Sequence, residues 1–285
     1  TLQQAIIFIP PDTTPQDIRD CLHEEVTQAL GPANDLYRLP DTIWNDDNSH
    51  GAATPFDMLV LRTLYQPDLQ SGMSRADAQA QAGRVLNRIN PQGRSRPRQA
   101  RAPEVEEWSA AIETALSSRN NRRQRLRAAS AATEIAIDME PPDHRLGVSL
   151  LTLARLNVRR DPNAAALYFS EAYRSLARTV GLEDVRTAQA GMHLAAFAIA
   201  TDQSELALAL VDRHLPIAIE SQNAILVAGL LSRRAEAYAW LGQEEAARDA
   251  RVDSLRWARY GFGDGNGDLA REQALLADLV FLEAE

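Results

Sequence analysis

Lysine is absent from this 285-residue chain, and all 30 of its basic side chains are arginine. The acidic residues number 39, which gives a formal net charge of −9. A general nucleic-acid binder is disfavoured, because such proteins need a surplus of positive charge. The single cysteine, Cys21, excludes an internal disulfide framework and a thiolate zinc cluster. No apolar run reaches the roughly 18 residues of a membrane span.

The chain begins with a short apolar segment, Ala-Ile-Ile-Phe-Ile at residues 5–9, bounded by two prolines. This composition predicts a buried strand. One strand leaves its own backbone groups unsatisfied, so we expect its partners in a missing upstream segment of the same protein. The absence of an initiator methionine before Thr1 suggests the same, and the length suggests about two domains.

Three helices are predicted next, and each start carries a capping residue. Thr14 and Thr54 each precede a proline, and Ser74 opens the third helix. The helices are expected to end near residues 30, 65 and 89. Cys21 lies on the apolar stripe of the first helix, which predicts a buried thiol, with a disulfide to an upstream cysteine as the alternative. An arginine-rich linker is predicted at residues 91–103, separating a domain at 1–90 from one at 104–285.

The second domain is predicted to be a helical repeat. Three turns, at Asp161, Asp202 and Gly242, are 41 and 40 residues apart, and alanines recur at fixed distances from them. Small residues at such positions let antiparallel helices approach closely, which is typical of stacked hairpins. Residues 144–263 resemble tetratricopeptide repeats. Helices at 104–116 and 122–139 are expected to precede the repeats, and a capping helix is expected at 269–281.

A repeat of this kind predicts a binding groove lined by the first helix of each hairpin. His193 and His214 fall in repeat helices and are expected to pack or to line the groove. Because several groove candidates are arginines, we expect capture of acidic peptide segments or C-terminal carboxylates. The candidate groove residues are Arg155, Asn157, Ala198, Arg233, Arg234 and Tyr238.

The first domain contains a degenerate peptidase motif that resembles the zinc motif of the metzincins. Glu24, Gln28 and Asn34 stand where that motif has its three ligands, and Glu25 stands at the general base. Gly31 and Asp35 match the motif unchanged. Trp44 occupies the turn where metzincins have a methionine below the metal, and a helix ending in Leu64-Tyr65 follows.

These donor types make a poor zinc site, because zinc prefers imidazole and thiolate ligands. Oxygen donors suit a hard cation better. Three interpretations therefore remain: a non-catalytic relic, which we favour; an atypical hydrolase with Glu25 as general base; and a structural site for a hard cation. Glu24 and Gln28 are alternatively a polar pair one helical turn apart, with no role in metal binding. Trp44 is alternatively an aromatic residue of the core.

A wider set of spaced residues resembles a more specific group. It is similar to a proteobacterial domain-of-unknown-function family whose members are described as candidate lipoproteins. The resemblance covers about residues 5–90 and implies a metzincin-like fold and an extracytoplasmic, periplasmic location, with a lipid anchor in the missing N-terminus. The residues that carry it are Cys21, Glu24, Glu25, Gln28, Leu30, Gly31, Asn34, Asp35, Ile43, Trp44, Asn45, Asp46, Asp57, Leu61, Leu64, Tyr65, Pro67, Leu69, Gly72 and Met73.

The predicted fold is therefore mainly α: a partial metzincin-like α/β module followed by an α-solenoid. The predicted function is a non-catalytic interaction or scaffold protein that binds a protein or peptide through its helical repeats. We expect no cofactor, no nucleic-acid partner and no membrane span in this chain. The alternative function is an atypical metallopeptidase-like hydrolase.

Overall fold

The computed structural model describes residues 4–34, 39, 41–45, 50–95 and 103–263, and within them the chain is mainly helical. A short 3-10 helix covers Pro91–Ser95. The rest of the predicted linker, Asp35 and Asp46 of the motifs, and the predicted capping helix at 269–281 lie outside the described residues. The α-helices are α1 (Pro15–Ala29), α2 (Pro55–Leu64), α3 (Arg75–Ile89), α4 (Pro103–Leu116), α5 (Arg122–Asp138), α6 (His144–Asn157), α7 (Pro162–Thr179), α8 (Val185–Ala200), α9 (Ser204–Glu220), α10 (Ala224–Trp240) and α11 (Glu244–Phe262).

Helix starts follow the capping residues of the sequence. Thr54 and Asp57 form a capping box before α2: Asp57 N donates to Thr54 Oγ1 at 3.3 Å, and Thr54 N donates to Asp57 Oδ2 at 2.7 Å. Proline at the first helical position costs no hydrogen bond, because that N–H has no partner in the helix. The helices predicted after Thr14, Thr54 and Ser74 are all present.

The predicted strand at residues 5–9 is not part of the structure. These residues have no regular secondary structure, and the Phe8 side chain is 89% exposed. Among the described residues no strand occurs, and the regular structure of the described part of residues 1–90 is helical. A short apolar run does not by itself determine element type or burial, because both depend on what packs against it.

The buried thiol predicted for Cys21 is also wrong, because Cys21 is exposed. The apolar residues beside it on α1, Leu22 and Val26, are exposed as well. The helical period therefore identified the apolar stripe of α1, but the stripe is not covered at these positions.

The chain divides into two compact units. Unit 1 comprises Thr1–Pro11 and Arg19–Ala102, and unit 2 comprises Asp12–Ile18 and Pro103–Glu285. The three-part division drawn from the sequence, with a linker at 91–103, stays a prediction.

Unit 2 is a succession of helices, each packed on the next from α4 to α11, and α8 also packs on α10. Leu150, Leu151 and Ala154 of α6 share a buried cluster with Ala190 of α8. We call α6, α8 and α10 one layer, because α6 and α8 contribute to the same buried cluster and α8 packs on α10. Helices α7, α9 and α11 alternate with them in the chain. This order is consistent with the predicted α-solenoid.

Left-handed residues recur in unit 2 at intervals of 20 or 21 residues. They are Gly181, Asp202, Gln222, Gly242 and Gly263, with φ values between 55° and 98°. At Asp202, Gln222 and Gly242 the residue that follows donates its amide to a carbonyl five residues earlier, as Gln243 N does to Tyr238 O at 2.9 Å. This is the Schellman helix ending, which lets the chain reverse within three residues. The turns predicted at Asp202 and Gly242 are confirmed.

The first of the three predicted turns is misaligned by one residue. Asp161 is the N-cap of α7, the position that Gln203 and Gln243 hold before α9 and α11. The prediction matched Asp161 with the residues one place before those two. In the corrected register Ala165 is the buried small residue of α7. Ala166, the alanine that the uncorrected register aligns with Ala207 and Ala247, is only half-buried.

Candidate functional site

The candidate ligand positions of unit 1 do not converge on a metal site. Helix α1 places Glu24 and Gln28 one turn apart, and Gln28 Nε2 donates to Glu24 Oε1 over 3.4 Å. Glu25 and Asn34 are exposed. The three candidate ligands, one carboxylate and two neutral amides, do not fit the donor preferences of zinc. Among the described residues no group of three or more His, Cys, Asp or Glu side chains could hold a metal ion.

Trp44 is a core aromatic that is tied to α1. Its side chain is 2% exposed and packs with Ile43 and Leu61. Its Nε1 donates to Thr27 Oγ1 at 3.0 Å, and Thr27 in turn donates to Glu24 O at 2.8 Å. The indole therefore fixes the turn at residues 41–45 against the helix that carries the degenerate motif.

Asp57 is a buried carboxylate whose full role the sequence did not indicate. Besides capping α2, it accepts hydrogen bonds from Thr42 Oγ1 and from Ile43 N, the latter at 3.0 Å. The sequence predicted Thr54 as the capping residue of this helix, but the contacts with residues 42 and 43 depend on the folded chain. A buried charge is tolerated only with such hydrogen bonds, so Asp57 is a structural group.

The predicted groove residues of unit 2 occupy different environments. Arg155 is exposed, Asn157 is half-buried with its Nδ2 donating to Leu153 O at 2.9 Å, and Arg234 pairs with Asp212 at 2.5 Å. Ala198 is buried, and its carbonyl accepts from Gln203 N in the turn after α8.

Tyr238, also half-buried, holds the same place in the turn after α10 that Ala198 holds after α8. Of the predicted groove residues, Arg155 is thus exposed, and Asn157 and Tyr238 each leave part of the side chain accessible.

Arg233 is buried, which the sequence did not predict for a groove arginine. It is 1% exposed and pairs with Glu236 one turn further along α10, with 3.0 Å between Arg233 NH1 and Glu236 Oε2. Burial lowers the pKa of Arg233 and raises that of Glu236, and their mutual attraction opposes both shifts. Glu236 is half-buried. An ion pair with a buried guanidinium is costly to desolvate and is weak evidence for a purely stabilising role.

His193 of α8 lies within range of the Arg233 charge. It is 8% exposed, and its ring stacks on Phe169 with 4.4 Å between ring centroids. Burial holds the pKa of His193 well below its usual range, and the positive charges of Arg155 and Arg233 lower it further. The imidazole is therefore neutral at physiological pH.

His193 and Arg233 occupy equivalent places in successive hairpins. Each lies ten residues before the residue that precedes the next helix, Gln203 in one case and Gln243 in the other. Because α8 packs on α10, equivalent residues of the two helices are expected to share a face. We call Arg155, His193, Arg233 and Glu236 the Arg–His cluster.

His214 of α9 is buried on another side of α8. Its Nε2 lies 3.1 Å from Tyr173 OH, and the ring meets the backbone of α8 at Gly191. The sequence allowed packing or groove lining for both histidines. The structure has His214 as a packing residue and His193 in the Arg–His cluster.

No described helix is long and apolar enough to cross a membrane.

Comparison with known proteins gives one match. Neither the curated proteins nor the solved structures contain a match to this chain. Residues 1–83 match the model of a family described as a protein of unknown function (DUF2927), which supports a domain-of-unknown-function family for this part of the chain.

Proposed function

We propose that this chain is a non-catalytic interaction protein. In this proposal the hairpins of unit 2 are tetratricopeptide-like and bind a peptide segment of a partner across α6, α8 and α10. Unit 1 is a metzincin-like module that contributes no hydrolytic chemistry.

The observation that carries the proposal is the layer formed by α6, α8 and α10. Three-residue turns with Schellman endings join α8 to α9, α9 to α10 and α10 to α11, which favours one face for equivalent residues of α8 and α10. Accessible side chains on these helices include Arg155, Asn157 and Tyr238. Aromatic and arginine side chains are the types that contribute most to binding energy in interfaces.

The arrangement of unit 1 supports the non-catalytic half of the proposal. Gln28 and Thr27 use their polar groups within α1, and Trp44 fills the core next to them. A general base acts on water that is held and polarised by a second group. Glu25 is exposed on α1, which gives it no such arrangement.

Selection from a random peptide display library on the full chain tests the proposal. Selected peptides should bind Tyr238→Ala at least about tenfold more weakly than the unchanged chain, since truncating an interface tyrosine commonly costs that much. Tyr260→Ala is the matched control, because Tyr260 is an exposed tyrosine of α11, a second helix of its hairpin. Equal weakening by both variants, or no selected peptide at all, would overturn the proposal.

A further inference from the structure

The Arg–His cluster contains buried polar atoms that the fold leaves unsatisfied. His193 Nδ1 and Arg233 Nε have no hydrogen-bond partner among the described residues. An unpaired buried polar group destabilises the folded chain, whereas helix packing alone is served by apolar residues. Leu151 holds the corresponding place in the first hairpin, ten residues before Asp161. The polar residues are therefore not a requirement of the repeat.

Two arginines of neighbouring helices act on His193. Arg155 from α6 and Arg233 from α10 both act on the ring as positive charges, and the pKa of His193 falls for that reason as well as through burial. The whole chain carries a net charge of −9. Within the Arg–His cluster, Arg233 is paired with Glu236, and Arg155 is the other positive charge, on an exposed side chain.

Resting on the proposed function, we infer that the Arg–His cluster binds a carboxylate of the partner peptide, from an acidic side chain or from a C-terminus. Guanidinium groups hold carboxylates through paired, charge-assisted hydrogen bonds. A neutral imidazole adds one further N–H donor. Glu236 neutralises Arg233 in the chain alone, and the incoming carboxylate shares or replaces that contact.

Direct binding to synthetic peptides tests this inference with the full chain. The first pair compares hexaglutamate with hexaglutamine, both acetylated at the N-terminus and amidated at the C-terminus. The second pair compares acetylated pentaalanine with a free C-terminal acid and the same peptide with a C-terminal amide. A carboxylate peptide should bind about tenfold or more tightly than its amide counterpart, a charge-assisted bond being worth at least that factor. The first pair reports side-chain carboxylates and the second reports a C-terminus.

Arg155→Gln is the informative variant, because Arg155 is exposed and its loss leaves the buried pair in place. It should reduce the preference for the carboxylate peptide to about twofold or less. Arg160→Gln removes the same charge from an exposed position in the turn after α6, and it should leave the preference unchanged. Equal weakening by both variants means general charge attraction and overturns the inference.

The outcomes separate this inference from the proposed function. If acid and amide peptides bind equally, while library-selected peptides still depend on Tyr238, carboxylate recognition is wrong and the interaction function stands. If the library gives no peptide, and none of the four synthetic peptides binds, both are wrong.

Discussion

Asp57 is the residue on which the turn at 41–45 and the start of α2 both depend. Asp57→Asn keeps the shape but replaces one acceptor oxygen by a donor, which then faces Ile43 N, Thr54 N or the Thr42 hydroxyl. We expect the free energy of unfolding of unit 1 to fall by about 2–3 kcal/mol, the cost of losing hydrogen bonds to a buried charge. Hydrogen exchange of residues 55–64 in increasing urea measures the change.

Asp77→Asn is the matched control for that substitution. Asp77 stands at the same place after its N-cap, Ser74, but it is exposed. We expect a change of less than about 0.5 kcal/mol. Equal losses for the two variants would mean that Asp57 acts only as a helix cap.

His214 makes the stability of unit 2 depend on pH. Burial, helped by the charge of Arg213, lowers the pKa of His214 from 6.5 to about 4. Between these values the unfolded chain binds more protons than the folded chain, so the free energy of unfolding falls as pH falls from 6.5 towards 4. In His214→Gln the fall should be shallower by up to about 1.4 kcal/mol per pH unit. Urea unfolding at several pH values provides the measurement, and parallel curves would contradict the assignment.

At the scale of the helix, Gly191 sets how closely α8 approaches α9. A Cβ at this position would lie 2.7 Å from His214 Nε2, a distance that ordinary packing does not allow. Gly191→Ala should lower the free energy of unfolding by about 1–3 kcal/mol through overpacking. Gly83 of α3 faces open space, so Gly83→Ala should raise it by about 0.5–1 kcal/mol. Urea unfolding measures both changes. If Gly83→Ala also lowered the free energy of unfolding, the loss in Gly191→Ala could not be assigned to its contact with His214.

The turns between helices depend on left-handed residues, and two of these are not glycine. Gly242 has φ 71° and Gln222 has φ 55°. Gly242→Ala should destabilise unit 2 by about 1 kcal/mol, because a Cβ is unfavourable in this conformation. Gln222→Gly should stabilise unit 2 by a similar or smaller amount. Thermal unfolding of both variants measures the effects, and a shift of the same sign in both would contradict the role of the turn.

At the scale of the whole chain, local patterns predicted the helices well. The capping residues Thr54 and Ser74 and the helical period located α2 and α3, since these effects act within one turn of helix. The strand at 5–9 and the burial of Cys21 were predicted wrongly, because an apolar run or stripe does not reveal what covers it.

The arrangement of the candidate site depends on contacts that no local pattern contains. The sequence named Arg155 and Arg233 for the groove, but it did not indicate that Arg233 is buried or that both charges act on His193. Such contacts join residues about one repeat apart. The offset of 40 residues between His193 and Arg233 is visible in the sequence once the register of the turns is known.

Hydrogen exchange of the full chain with and without a library-selected peptide tests the central claim most directly. Bound peptide should slow exchange in α6, α8 and α10, the layer that carries the Arg–His cluster, and leave the exposed faces of α7, α9 and α11 unchanged. Protection confined to α7, α9 and α11, or to unit 1, would contradict the account.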